Sequence, residues 1–417
     1  MPRTQRQLRA WKIASCHTLC VLRAKVNQFI RSLALLGSAH VAFYWKYFLG
    51  ELAFGSDIVL QNYPLRVLTQ DFVQRQGSIP WWNPYAFSGI PLCGTFASLC
   101  FYPPSRATFF LPPWLAMNLL IVAHSLLGSI AAFAFFRELR YRATPALAGA
   151  LAWSFGNFIA QRLSAGHLDA LATIHWSPVI AYLWIRADRA SDLRWIALAG
   201  VALAMQILAG YPQYVYLFHA AAIPALFLVS THRRRHLQSM LLYLAVGLSL
   251  SAIQWVPALS ILHQSVREGA RDEAFYLAYA STWRDLLSWL IPYANGDGIR
   301  TPYRGSAYGW ETTTYVGMAT LFLAAQARFR HARAFALLSG AFVFLTLGAN
   351  GGPLYAIFVK IVPLASMFRV PGRYGFSALI PLLVLFVDGL AHWLERPRPI
   401  LTPLALGVGT AIALSLQ

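Results

Sequence analysis

The stretch ATFFLPPWLAMNLLIVAHSLLGSIAAFAFF, residues 107–136, runs for 30 residues without a charge and is followed at once by RELRYR, residues 137–142. A helix needs about 20 apolar residues to cross the hydrocarbon core of a bilayer. Basic residues gather on the cytoplasmic flank of such a span. This stretch therefore reads as a membrane span that ends at a cytoplasmic boundary. Further apolar segments lie on either side of it, at 32–54, 145–160, 170–185, 195–209, 213–230, 239–258, 309–327, 334–349, 374–394 and 400–417. The fold class is an all-α, polytopic transmembrane helix bundle of about 11 spans. Composition agrees. The 417 residues are 58% hydrophobic and 12% charged, with mean hydropathy +0.51. Soluble domains carry about 25% charged residues, so a soluble enzyme, a disordered chain and a nucleic-acid binder are all excluded.

Charge assigns the sides. The net charge is +19, from 34 Lys and Arg against 15 Asp and Glu. With the N-terminus in the cytoplasm and the spans alternating, the inner segments are 1–31, 137–142, 186–194, 232–236, 328–333 and 395–399. They hold 21 of the 34 basic residues. The alternation requires that 353–368, which contains Lys360 and Pro363, does not cross. Residues 1–31 show helical spacing of Leu8, Trp11, Leu19, Leu22 and Val26 among basic residues. That fits a basic amphipathic cytoplasmic segment on an anionic membrane face, or a solvated basic tail. Residues 32–417 form the membrane domain, with two long outer loops, 55–106 and 259–308. Both are rich in Trp, Tyr, Pro and Gly and are expected to be ordered. Cys93 and Cys100 share the first loop, where a disulfide or two free thiols are both open.

Several residues carry candidate chemistry. Asp57 stands just beyond the first span. A carboxylate there can serve as a general base, or as a ligand for a divalent cation such as Mg²⁺ or Mn²⁺; it can equally be one half of a Ser-Asp turn. Trp81, Trp82 and Tyr85 suit stacking on sugars or an interfacial aromatic belt. Arg369 and Arg373, four apart at the outer end of a late span, suit phosphate recognition or headgroup anchoring. The short outer loop 161–170 puts Arg162, His167 and Asp169 on the same side, as substrate contacts or as an ordinary polar turn. Lys46 can reach a donor phosphate, pair with Glu51 or snorkel outward. Glu311 opens a span, as a substrate contact or as a helix-start residue. His124, His175 and His219 sit singly in apolar runs and read as packed histidines. No GxGxxG, P-loop, HExxH or serine elbow occurs.

The ordered set Asp57, Tyr63-Pro64, Pro80-Trp81-Trp82-Asn83-Pro84-Tyr85, Gly89-Ile90-Pro91 and Tyr102-Pro103 resembles the first-loop pattern of YfhO-type bacterial membrane proteins. It continues with Gly210-Tyr211-Pro212-Gln213-Tyr214, then Glu311 with Tyr315-Val316-Gly317, then Phe368-Arg369-Val370-Pro371-Gly372-Arg373-Tyr374. The resemblance spans about residues 32–395. That family is similar to the GT-C superfamily of integral-membrane glycosyltransferases, which use a polyprenyl-phosphate-linked sugar on the outer face. The resemblance implies a hexosyl or pentosyl transferase of the bacterial plasma membrane. Its partners would be the bilayer, the lipid-linked donor and a cell-envelope glycopolymer or glycolipid acceptor, with Asp57 in the catalytic position. Many GT-C enzymes place a second acid beside the first; this loop lacks one. Two other roles compete with this one: a flippase or transporter for lipid-linked sugars, and a non-catalytic envelope-assembly protein.

Overall fold

The computed structural model describes residues 26–230, 233–264, 273–297 and 300–395 together with Arg23. The amphipathic segment expected at 1–31 and the last apolar segment at 400–417 lie largely or wholly outside these residues. Among the described residues the regular structure is helical, apart from one hairpin of two-residue strands; turns and loops join the helices. Helix α1 covers residues 26–43. A π-turn at Ile58–Asn62 leads into α2 (Tyr63–Gln76). The hairpin pairs β1 (Trp82–Asn83) with β2 (Ile90–Pro91), Trp82 opposite Pro91. The charge-free stretch becomes α3 (Pro113–Glu138), which begins at a proline suited to a first helical position.

The next apolar segment is a broken rod. Helix α4 (Ala143–Phe155) stops at Gly156, whose ψ of 151° is extended, and α5 (Asn157–Ala165) restarts directly. Gly166, at φ +83°, closes α5. Helices α6 (Leu168–His175) and α7 (Ser177–Ala190) then run together as one apolar rod. Asp192 caps α8 (Leu193–Leu208) by accepting the Arg194 N–H at 2.9 Å. Helices α9 (Pro212–Val229) and α10 (Arg233–His263) follow. Then come α11 (Met318–Ala324), α12 (Ala332–Leu345), α13 (Leu354–Ile361) and α14 (Tyr374–Glu395).

Among the described residues five helices are long and apolar enough to cross a membrane: Pro113–Glu138, Leu168–Ala190, Pro212–Val229, Leu237–His263 and Pro371–Glu395. Helices α8 and α12 are apolar but shorter. Helix α13 has eight residues and would extend only about 12 Å, too little to cross. The apolar segment 309–327 departs from expectation: it holds only a four-residue turn of helix at Gly309–Thr312 and the seven residues of α11. Its first half contains Thr312, Thr313 and Thr314, and Gly317 stands at φ +81°. β-Branched residues lose side-chain freedom in helices, and a left-handed glycine interrupts one.

The core is built by α3 packing on α4, α6 and α7, by α8 against α7 and α10, and by α14 against α9, α11 and α12. Helix α10 lies at the edge and leaves Leu237, Leu241, Ile253 and Val256 exposed, a surface suited to lipid.

Polar contacts separate the two ends of the bundle. At one end Glu138 pairs with Arg186 at 3.4 Å, and the Tyr141 hydroxyl donates to Asp388 at 2.9 Å. The Arg328 amide donates to the same Asp388 at 2.6 Å. The positively flanked helix ends therefore share one face. The candidate residues gather at the other. The isolated histidines are packed and bonded: His219 Nδ1 lies 2.6 Å from the Val215 carbonyl oxygen, and Trp153 Nε1 lies 3.3 Å from His175 Nδ1. Cys93 and Cys100 are separate buried thiols.

Candidate functional site

Two glycines place Asp57. A Cβ built on Gly55 would fall 2.5 Å from the Gly166 nitrogen and 2.6 Å from its Cα. Only paired glycines permit this backbone approach between the end of the first helical segment and the loop after α5. Asn62 Nδ2 donates to the Gly166 carbonyl at 3.1 Å, and Ser56 Oγ donates to the Ala165 carbonyl at 3.3 Å. The docked loop brings His167 Nε2 to 3.2 Å from Asp57 Oδ2. Asp57 stays about half exposed, whereas His167 is buried, and its Nδ1 has no hydrogen-bond partner among the described residues. The hydrogen bond from His167 holds the Asp57 carboxyl below the usual range against its partial burial. It is therefore ionised at neutral pH, as a base must be.

The Gly55 contact makes a prediction. Gly55→Ala drives a methyl group into backbone, which must shift and carry Asp57 away from His167. The expected stability loss is about 1–3 kcal/mol, with a larger fall in any activity that uses Asp57. Gly37→Ala, where nothing lies within 4 Å of the added carbon, leaves both unchanged. Thermal melts in detergent beside an activity assay check the pair.

Beside this dyad lies a buried ion cluster. Arg162 is fully buried and its NH1 donates to Glu311 Oε2 at 2.7 Å. Arg373 donates from Nε to the same oxygen at 2.8 Å and from NH2 to Oε1, a bidentate pair. Its NH1 donates to Gln213 Oε1 at 2.7 Å. Arg162 lies over the Phe158 ring at 4.7 Å, and Arg373 over the Tyr211 ring at 5.3 Å. Tyr211 also neighbours His167, with ring centroids 6.4 Å apart. Asp57, His167, Tyr211, Arg373 and Glu311 thus form one chain of contacts. Two guanidiniums against one carboxylate leave the cluster with an excess positive charge, and low polarisability in the interior strengthens its field.

Burial alone would raise the Glu311 carboxyl, but Arg162 and Arg373 hold it well below the usual carboxylate range. A depressed folded-state pKa stabilises above the unfolded value of about 4.3. That contribution disappears as the pH falls through the folded value. The melting difference between wild type and Glu311→Gln should accordingly be constant from pH 5 to 8 and shrink only in strong acid, a series that thermal melts can follow.

The other candidates are dispersed. Asp169 is buried and accepts the Ala170 N–H at 2.9 Å, near Gly210. Arg369 is exposed and lies over Tyr279, not over Tyr211. Lys46 pairs with Glu51 at 3.6 Å, both exposed. Trp81, Trp82 and Tyr85 sit on the exposed hairpin, where Trp81 rests near Phe101; no hydrogen bond or ring contact among the described residues joins them to Asp57 or Glu311. Gln213 and Tyr211 went without a role in the sequence reading, although the run Gly210–Tyr214 that contains them was legible. No three His, Cys, Asp or Glu side chains group together among the described residues. Asp57 stands with one histidine and no adjacent second carboxylate.

A further feature adjoins the cluster. Where α4 breaks into α5, a cavity of about 560 Å³ opens, lined by Trp153, Phe155, Phe158, Val316, Phe376 and Leu383 among others. That volume is in the range of ligand pockets, and the lining is predominantly apolar. Phe158 forms part of the wall and also lies beneath Arg162.

The fold is that of an all-α helical membrane protein and is consistent with the GT-C type. Residues 113–259 match the model of the dolichyl-phosphate-mannose-protein mannosyltransferase family. The match runs from α3 into α10, so it contains Arg162, His167, Asp169 and Gln213 but not Asp57, Glu311 or Arg373. Over that stretch the chain is similar to membrane glycosyltransferases. No curated protein matches the chain.

Proposed function

We propose that the protein is a YfhO-type glycosyltransferase of the bacterial plasma membrane. It moves a hexosyl or pentosyl group from a polyprenyl-phosphate donor to a cell-envelope glycopolymer or glycolipid, on the extracytoplasmic face, with its N-terminus in the cytoplasm. The observation that carries this reading is the ionised, half-exposed Asp57 held by His167 beside the positively charged Arg162–Glu311–Arg373 cluster. In the proposed step Asp57 takes the acceptor hydroxyl proton. The freed oxygen bonds to the anomeric carbon on the side opposite the phosphate. The carbon–oxygen bond to phosphate breaks, its electrons leave with the phosphate, and the anomeric configuration inverts. The cluster's positive field favours the departing anion. The apolar cavity, which has Phe158 in its wall in common with the ring under Arg162, suits the isoprenoid chain, and Asp57 and Arg162 lie at the same end of the bundle.

A second reading, a flippase for lipid-linked sugars, draws on the break at Gly156, since broken helices that line a cavity are a transporter feature. Purified protein in proteoliposomes with radiolabelled polyprenyl-phosphate sugar and acceptor separates them. Label appearing in the acceptor supports transfer; label reaching the opposite leaflet with none in the acceptor supports transport and rejects the transferase.

A further inference from the structure

The segment before Glu311 carries an aromatic stack that the transfer step leaves unused. The Tyr308 and Trp310 rings lie parallel within 5° at 4.8 Å, and Tyr279 stacks on Tyr308 at 6.0 Å. The Arg369 guanidinium sits over Tyr279 at 5.8 Å. Tyr279, Tyr308 and Arg369 are all exposed. Arg369 has no acidic partner among the described residues, nor do the exposed Arg284 and Arg304 nearby. The one buried acid of the segment, Asp285, is already engaged. It accepts from the Thr282 amide and hydroxyl, from Asn295 at 2.9 Å and from Ser306 at 2.5 Å.

Backbone strain fixes the platform. Tyr279 stands at φ +62° and Val370 at φ +68°. A left-handed β-branched residue is a true outlier and persists only where the surroundings impose it. The Val370 amide donates to the Ala278 carbonyl at 3.0 Å, which ties the two strained turns together. The platform is also joined to the charged cluster. Gln213 Nε2 donates to the Arg369 carbonyl at 2.7 Å, while its Oε1 accepts from Arg373. Arg369 and Arg373 are four apart in sequence, yet they serve two different surfaces.

We infer that Tyr279, Tyr308, Trp310 and Arg369 form a binding site for an anionic saccharide, one that bears a carboxylate or a phosphate. Aromatic rings match the apolar C–H surface of sugars, and tyrosine hydroxyls can bond sugar hydroxyls. A guanidinium without an acidic partner takes a carboxylate or phosphate through paired N–H groups. Interfacial belts set single aromatics at headgroup depth; a rigid ladder of three stacked rings capped by an arginine is a different construction. Only the site's role as the acceptor subsite rests on the transferase reading; binding itself does not.

Calorimetric titration of the full chain in zwitterionic nanodiscs tests this, with trigalacturonate as the acidic probe and maltotriose as its neutral counterpart. Wild type should bind the acidic sugar about tenfold more tightly or better. Arg369→Gln should erase that preference, and Tyr308→Ala should weaken both sugars. Both side chains are exposed, and the backbone carbonyl of Arg369 is what holds Gln213, so the fold survives. Asp57→Asn should bind as wild type does. Equal binding of the two sugars, or a preference that survives Arg369→Gln, overturns the site. Full displacement of trigalacturonate by equimolar glycerol phosphate also overturns it, in favour of a headgroup contact. If Asp57→Asn transfers sugar normally while Arg369→Gln loses the acidic preference, the transferase reading falls and the saccharide site stands.

Discussion

Asp57→Asn transfers sugar roughly 10²–10⁴-fold more slowly than wild type at equal protein level, the range that a positioned general base contributes. The amide has the shape of the carboxylate but cannot take a proton at neutral pH. Its oxygen can still accept from His167, so the local geometry is kept. Asp57 is half exposed, and its other side-chain contact is Ser56 Oγ at 3.4 Å. The thermal melt should therefore stay within about 0.5 kcal/mol of wild type, as for ordinary surface changes. Radiolabel counted in the acceptor, with protein quantified in the same membranes, checks both halves. A variant that melts normally and transfers normally removes Asp57 from the chemistry.

Glu311→Gln is the most destabilising of these changes. Glu311 is 5% exposed and is the only carboxylate among the described residues bonded to Arg162 and Arg373, themselves 0% and 8% exposed. Removing one partner of a buried ion pair costs about 3–5 kcal/mol, because the remaining charge is stranded without water. Here two charges are stranded. Adding Arg162→Met removes one of them and should recover part of the loss, since apolar replacements of buried ions are often tolerated. Melting of the single and double variants in detergent measures this. A single variant as stable as wild type, or a double variant less stable than the single, contradicts the assignment of Glu311 as the neutralising centre.

The membrane-spanning class was legible because it rests on length and patterning. Thirty charge-free residues at 107–136 exceed what a span needs, and the basic segments after them recur at alternate boundaries. What was not legible depends on short interruptions and on distant contacts. Gly156 is one residue in an apolar run, yet its extended backbone splits a rod into α4 and α5 and opens the cavity. Thr313, Thr314 and Gly317 break the helix expected at 309–327 into two short pieces. The site itself joins residues far apart in sequence: Arg162 and Glu311 are separated by 149 positions, Arg373 and Gln213 by 160. No local spacing reports such pairs. Arg369 and Arg373 illustrate the limit from the other side, since a four-residue interval suggests a shared ligand, whereas a strained Val370 between them sends the two guanidiniums to different rings. For Lys46 the sequence left a donor phosphate, Glu51 and outward snorkelling open; the pair with Glu51, five positions away, is the one that forms.

The claim that a lipid-linked sugar docks at this charged end is tested most directly by photocrosslinking. A polyprenyl phosphate with a photoactivatable group on its first isoprene units is bound to the purified chain and irradiated, and the adducts are mapped by mass spectrometry. Adducts on the cavity wall, within 151–160 and 376–383, are the expected result, with labelling reduced when phosphate-free polyprenol is used instead. Adducts confined to the outward face of α10, or equal labelling by the phosphate-free lipid, would contradict it.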